Sequence, residues 1–462
     1  MGNAGIGIIR VSGENAIDIC DRIFIGKKKI SEMQSYTAAY GHIIDTDIDV
    51  NEPEAVNAAN TEERSRVIDE VIVLVMKAPH TYTTEDTVEI DCHGGMLVLK
   101  KVTELLIKHG ARPAEPGEFT KRAYMGGRID MTEAEAVMDL ISAKSDLAHK
   151  ASVNCLRGGL KDKINELREE ILYDTAYIES ALDDPENYSL DGFSKKLTTD
   201  VDKWSDSVDK LLKTCEDGRL IKEGIRTAII GRPNVGKSSV LNMLLGEERA
   251  IVTDVAGTTR DTLEEFININ GIVLNIVDTA GIRETSDIVE KIGVDKARDN
   301  IKNADLVLFI IDGSNALTGD DKRLLEEIKD KKVIILINKN DLDNLIDPDL
   351  LKSEYGYANI LSISALNKEG LDELQDMIEK LFFSGELSYN DEIIITSRRQ
   401  ENALIKVKND LNKVRESIEL SLGEDFYTID LMAAYSALGL IIGETLEDDL
   451  ADKIFSEFCM GK

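Results

Sequence analysis

The sequence predicts a multidomain chain of α/β and all-α parts. An α+β domain comes first, followed by a helical bundle in two halves, with a doubly wound α/β domain inserted between the halves. Three observations predict this. Short β-type apolar runs recur up to about residue 118. Apolar residues at helical spacing dominate 119–221 and return after 384. Between them, in 222–383, continuous apolar runs alternate with helical stretches. The expected domains are therefore 1–118, 119–221, 222–383 and 384–462, with the second and fourth forming one bundle. A length of 462 residues suits about three domains, and a hydrophobic content of 42% excludes a disordered chain.

In the first domain, "GIGIIRV", "VIVLVMK" and "TVEIDC" read as strands. "NEPEAVNAANTEERSR" is polar and lacks a period, as expected of a surface loop. In the bundle, Leu156, Leu160, Ile164, Leu167 and Ile171 step by three or four and form one apolar face. "SALDDPENYSLDG" interrupts that helical run with Pro185 and Gly192. Leu404, Val407, Leu411, Val414 and Ile418 repeat the pattern near the end, and both faces read as bundle packing. In the inserted domain, "RTAIIG", "IVLNIVD", "DLVLFIID", "KVIILIN" and "NILSIS" read as strands buried on both faces. Asn270-Gly271 is a hairpin turn signal.

The 87 acidic residues against 55 basic ones give a net charge of −32. This argues against a nucleic-acid grip spread over the whole surface, because phosphate binding needs clustered Lys and Arg. A local basic patch, or a basic partner, remains compatible. Cys20, Cys92, Cys155, Cys215 and Cys459 lie far apart, with no Cys-x-x-Cys pair, and read as reduced thiols. No signal-peptide pattern opens the chain, and no stretch reads as apolar for long enough to span a bilayer. The expectation is a cytoplasmic protein with no membrane partner.

"GRPNVGKS", Gly231 to Ser238, fits the G-x-x-x-x-G-K-[ST] phosphate loop between a strand and a helix. Its glycines let backbone N–H groups wrap phosphates at a helix N-terminus. Lys237 is expected to neutralise the β- and γ-phosphates, and the Ser238 hydroxyl to bind Mg²⁺. Thr258 and Thr259 lie where a switch threonine completes the Mg²⁺ shell; Asp278 would hold the ion through water, and the Gly281 N–H would sense the γ-phosphate. "NKND" (Asn338, Lys339, Asn340, Asp341) ends a buried strand. The Asp341 carboxylate can accept two hydrogen bonds from guanine N1–H and N2, whereas adenine would leave it unpaired. "SAL", Ser364 to Leu366, offers backbone donors to guanine O6. The expected GTP-binding set comprises five segments: Asn234, Val235, Gly236, Lys237, Ser238 and Ser239; Thr253, Thr258 and Thr259; Asp278, Thr279, Ala280 and Gly281; Asn338, Lys339 and Asp341; Ser364 and Ala365. Such a set describes a Ras-like P-loop GTPase domain. In Ras-like GTPases a glutamine after Asp-x-x-Gly orients the attacking water; here Ile282 follows, and no glutamine is near.

Along nearly its whole length the chain resembles the MnmE (TrmE) family of bacterial tRNA modification GTPases. The resemblance is carried by "GIGIIRVSG", "HGG", "PGEFTKRAYMGGRID", "GRPNVGKSSVLN", "IVTDVAGTTRD", "DTAGIRETSDIVEKIG" and the terminal "FCMGK". It implies a potassium-activated GTPase that works with the FAD-bearing partner MnmG in a heterotetramer or larger complex. The pair would install an aminomethyl or carboxymethylaminomethyl group on C5 of the wobble uridine of certain tRNAs. A 5-formyl- or 5,10-methylene-tetrahydrofolate supplies the one-carbon unit, and the tRNA is held mainly with the partner.

The resemblance further implies a homodimer with facing nucleotide domains, in which K⁺ takes the place of an arginine finger. Asn234, Thr253, Val255 and Thr258 would cage the ion, and Glu290 would orient the attacking water through a second water. The folate set carried over is Arg10, Glu89, Arg128 and Lys462 in an N-terminal folate-binding and dimerisation domain. Cys459 is the candidate for the modifying chemistry beside Lys237 and Glu290 as catalytic residues, and His93 is expected to be structural. The family has a further strand-forming segment before "GIGIIRVSG" that this chain mostly lacks, so a weaker dimer or a more open folate pocket is expected. Two other classes compete: an assembly GTPase that switches on ribosomal RNA or another complex without modifying it, and a folate-binding scaffold with a vestigial nucleotide domain.

Overall fold

The structure is a computed structural model and describes residues 4–45, 67–246, 265–269, 271–277, 301–383, 393–444, 451 and 454–456. Two compact units result: 1–134 with 442–462, and 135–441.

In the first unit the chain runs β1 (Ile6–Ser12), α1 (Ala16–Asp21), β2 (Phe24–Gly26), β3 (Thr37–Ile44), β4 (Val67–Met76), β5 (Thr87–His93), α2 (Met96–Lys108) and α3 (Glu118–Met125). The strands form one antiparallel sheet in the order β1-β5-β4-β3-β2. Alternation along β4 turns Val71, Val73 and Val75 inward, where they meet Val88 and Ile90 of β5. Ile17 and Cys20 of α1 and Val102 and Leu106 of α2 close this core. Strands β2 and β3 are additions to the sequence reading. "TAAYGHII" is weakly apolar, and its centre is Gly41, where a Cβ would lie 2.4 Å from the Ile25 carbonyl oxygen. The pairing of β2 with β3 therefore depends on a residue that strand propensity disfavours.

Along the second unit the chain forms α4 (Met131–Ser142), which begins in the first unit, then α5 (Asp146–Leu156), α6 (Gly159–Asp183), α7 (Phe193–Glu223), β6 (Ile225–Ile230), α8 (Lys237–Leu245), β7 (Glu265–Ile269), β8 (Ile272–Ile276), β9 (Leu306–Asp312), α9 (Gly319–Glu327), β10 (Val333–Asn338), α10 (Pro348–Tyr355), β11 (Ile360–Ser362), α11 (Leu371–Phe382), α12 (Arg398–Glu419) and α13 (Glu424–Ile442). The six-stranded sheet has the order β11-β10-β9-β6-β8-β7. Its pairs are parallel except for the β7–β8 hairpin. Successive residues of β9 face opposite layers, as a doubly wound sheet requires. Leu306, Leu308 and Ile310 pack with Val240 and Leu244 of α8 and Leu374 of α11. Val307, Phe309 and Ile311 pack with Leu325 of α9 and Leu351 of α10.

The helical part departs from the sequence reading in places. The expected face from Leu156 to Ile171 is broken after Leu156, because Gly158 takes a left-handed φ of 88°. Leu160, Ile164, Leu167 and Ile171 are buried on α6, while Leu156 ends α5. On α12, Leu404, Val407, Leu411 and Val414 are buried as expected, and Ser417 rather than Ile418 takes the next inward position.

The two sequence halves of the bundle join through polar contacts. Arg399 of α12 donates to both carboxylate oxygens of Glu135 on α4, at 2.9 Å each, and Gln400 donates to Glu135 Oε2 at 2.7 Å. The Thr396 hydroxyl donates to Asp139 at 2.7 Å, and Lys222 at the end of α7 pairs with the same carboxylate at 2.7 Å. The antiparallel α7 and α12 are further linked by Asp209–Lys408 at 2.6 Å and by Asp202–Arg415. Against the sequence expectation, one helix among the described residues, α13, is by length and composition apolar enough to cross a membrane. Its Leu431, Ala434, Leu438 and Ile441 are buried, and Tyr435 packs under the Arg168 guanidinium of α6.

Candidate functional site

The C-terminal ends of β6, β10 and β11 bring three of the expected loops together, at the edge where parallel sheets bind ligands. The phosphate loop leaves β6 and enters α8 at Gly236, whose φ is 100°. A Cβ on Gly236 would lie 2.3 Å from the Asn338 side-chain nitrogen, so only glycine admits the close approach of the two loops. Lys237 folds back over its own loop, and its Nζ donates to the carbonyls of Gly231 and Arg232 at 2.8 Å each. Burial lowers the Lys237 pKa. Arg232 reaches from the loop to Asp321 at 2.8 Å. Asp321 is buried and caps α9 reciprocally with Thr318.

Asn338 links the loops. Its side-chain nitrogen donates to the Val235 carbonyl at 2.9 Å, and its oxygen accepts from the Ala365 N–H at 3.1 Å. The Ser364 hydroxyl donates to Asp341 at 2.6 Å. The Asn340 N–H donates to the Ile363 carbonyl at 3.0 Å. Val235, Asn338, Asp341, Ser364 and Ala365 therefore form one connected group, with the Asp341 residue exposed. Lys339, at a left-handed φ of 69°, turns its ammonium onto Asp312 at 2.6 Å. Burial pushes the Asp312 pKa up, but hydrogen bonds from Lys339, from the Ser314 hydroxyl and N–H, and from Asn315 pull it down to about 2. Sequence reading missed Asp312; its position as the polar end of an otherwise apolar strand was the available signal.

Asn234 is exposed with a φ of 65°, and Ser238 and Ser239 are exposed on the first turn of α8. Thr253, Val255, Thr258, Thr259, Asp278, Thr279, Ala280, Gly281 and Glu290 lie outside the described residues, as do Cys459 and Lys462.

In the first unit, Arg10 and Glu89 are register partners on β1 and β5 and form an ion pair, with Nε to Oε1 at 2.7 Å. Arg128 instead stacks on the Tyr82 ring, 4.8 Å from its centroid. Arg10 also lines a cavity of about 340 Å³ with Ser12, Asn15, Arg112, Phe119 and Arg122. Beside it, Glu118 is pushed up by burial but drawn down to about 2 by Arg112, the Glu115 N–H and Arg122. This Arg–Glu–Arg arrangement was not read from the sequence. His93 donates its N–H to Asp69 Oδ2 at 2.8 Å, and its Nδ1 lies 2.6 Å from Oδ1, which ties the end of β5 to β4.

Family comparisons agree with this architecture along the chain. A family model described as "GTP-binding protein TrmE N-terminus" matches residues 1–128, and one described as "MnmE helical domain" matches 131–459. The chain belongs to the MnmE family. It is 51% identical to the tRNA modification GTPase MnmE of Lachnoclostridium phytofermentans, an alignment covering 100% of this chain and 97% of that one. The MnmE of Lactobacillus helveticus is 45% identical, with 100% and 96% covered. The MnmE of Clostridioides difficile is 44% identical, with 100% and 97% covered. An MnmE chain is thus matched on both sides of the inserted nucleotide domain, which the second family model spans.

Proposed function

We infer that this chain hydrolyses GTP in tRNA modification, and we propose the finer reading that it is a potassium-activated GTPase acting with the FAD-bearing protein MnmG. Together they would add a carboxymethylaminomethyl or aminomethyl group to C5 of the wobble uridine of certain tRNAs. The observation that carries the inference is membership of the family over the whole chain, joined to a base site in which Asn338 ties three loops together. Asp341, held by Ser364, would accept from guanine N1–H and N2, and the Ala365 region would face O6. Lys237 would exchange its two carbonyl partners for the β- and γ-phosphates, a gain for an ammonium that burial has left short of counter-charge.

The residues present suit the implied groups. The exposed Asn234 side chain offers a neutral oxygen for K⁺, with Thr253, Val255 and Thr258 completing the cage. The exposed Ser238 hydroxyl and Thr259 would hold Mg²⁺. When bound, the two ions supply positive charge beside the phosphates. Glu290 would orient the attacking water. Arg10 and Glu89, already paired, would each meet an opposite charge or amide on a tetrahydrofolate, with Arg128 and Lys462 as further contacts and Cys459 nearby. Homodimerisation would set the nucleotide domains face to face, and MnmG would hold most of the tRNA.

The test is GTP turnover in KCl against NaCl at equal ionic strength, with the Glu290→Ala variant alongside. Strong activation by K⁺, and loss of turnover with GTP affinity kept in Glu290→Ala, are expected. Equal rates in both salts would overturn the cation cage, and surviving turnover in the variant would place the water elsewhere.

A further inference from the structure

We propose that Asp312, at the end of β9, is a positioning residue for the nucleotide base and acts through Lys339. The proposal rests on the reading of Asn338–Asp341 as the guanine site. Asp312 and Asn338 are register partners at the ends of adjacent parallel strands, so the carboxylate starts beside the base loop. Lys339 follows at once in a left-handed conformation, which favours glycine over a residue with a long side chain. From there its ammonium reaches back to Asp312 Oδ2 at 2.6 Å. The rest of the carboxylate is already occupied: Oδ1 accepts from the Ser314 N–H at 3.0 Å and its hydroxyl at 2.6 Å, and Oδ2 accepts from Asn315 at 3.1 Å. Asp312 is thus a buried anchor in a fixed loop, and Lys339 is its one cationic partner among the described residues.

Two consequences follow for the ligand. Tying down the ammonium lays the four-carbon stem of Lys339 across the base site as an apolar surface that is ordered before the ring arrives. A free lysine would have to lose that rotamer freedom on binding. The pair also neutralises the Lys339 charge locally, so Lys237 rather than Lys339 is the cation offered to the phosphates. Neither effect reaches the γ-phosphate, so GDP and GTP gain equally.

The experiment measures GDP affinity and dissociation rate, with a fluorescent GDP, on the full chain and on Asp312→Asn, Lys339→Gln and the double variant, each with its thermal midpoint. Asp312→Asn is expected to weaken GDP binding about tenfold, mainly through faster release. The double variant should bind no more weakly than Lys339→Gln alone, because both changes remove one interaction. Unchanged binding in Asp312→Asn, or losses that multiply in the double variant, would overturn the proposal and leave Asp312 as a turn cap. If Asp312→Asn does not fold, Lys339→Met keeps an apolar stem that cannot be tied to Asp312; GDP binding about tenfold weaker is then expected, and unchanged binding would overturn the proposal. Failure of the unmodified chain to bind GDP would instead overturn the guanine-site reading beneath it.

Discussion

The Ser364 hydroxyl donates a 2.6 Å hydrogen bond to Asp341, joining the loop after β10 to the loop after β11. In the proposed guanine site the bond would aim this carboxylate at a purine's two adjacent donors. Asp341→Asn places an amide there, which suits a ring bearing a carbonyl at C2 instead of an amino group. GTP affinity should fall about a hundredfold while XTP gains. Competition of the two nucleotides for one fluorescent ligand measures the exchange.

Lys237 gives a pH signature. Burial holds its pKa below the ordinary lysine value of about 10.4. Between the lowered folded value and the unfolded one, the unfolded chain binds the extra proton, so stability without ligand rises with pH over that interval. Lys237→Met should remove this rise and abolish stabilisation by GDP. Thermal unfolding from pH 8 to about 10.5, with and without GDP, reads both effects.

Asp312 behaves in the opposite way. Its folded pKa of about 2 lies below the unfolded value of about 3.9. Its contribution is therefore fully present above pH ~4 and is lost as pH falls towards ~2, a loss on the order of 2 kcal/mol. Asp312→Asn should flatten that part of the acid-unfolding curve, as followed by circular dichroism.

Closure of the split bundle depends on Arg399. Besides Glu135, its guanidinium donates to the carbonyls of Leu440 and Ile441, at 2.5 and 2.8 Å. Arg399→Ala leaves a partly buried carboxylate and two helix-end carbonyls without that partner. We expect a loss of about 3 kcal/mol in urea unfolding, and no comparable loss for Arg415→Ala, whose pair with Asp202 is more exposed.

Much of the architecture was legible because it is written in local pattern. Five continuous apolar runs became β6, β8, β9, β10 and β11; β8, β9 and β10 are buried along their whole length, as a strand covered on both faces requires, whereas Arg226 of β6 is exposed and the edge strand β11 is only half-buried. The phosphate loop, "NKND" and "SAL" were readable because each places its chemistry within a few consecutive residues. Strands β2 and β3 escaped because Gly26 faces Gly41 where they pair and the surrounding run is weakly apolar, and the break at Gly158 escaped because the apolar spacing runs on through it.

Contacts between distant residues required the folded chain. Glu135 and Arg399 are 264 residues apart, and Asp312 and Lys339 are 27 apart. No periodicity or motif couples such positions; sheet order and helix packing do. The same holds for the state of each charge. In the sequence, Lys237, Asp312 and Glu118 are ordinary ionisable residues, and their shifted titration appears only when burial and nearby partners are set by the fold. Residue types and their local order determined which chemistry this chain carries, while the geometry that tunes it arose from long-range packing, because dielectric and hydrogen-bond partners are properties of surroundings rather than of neighbours along the chain.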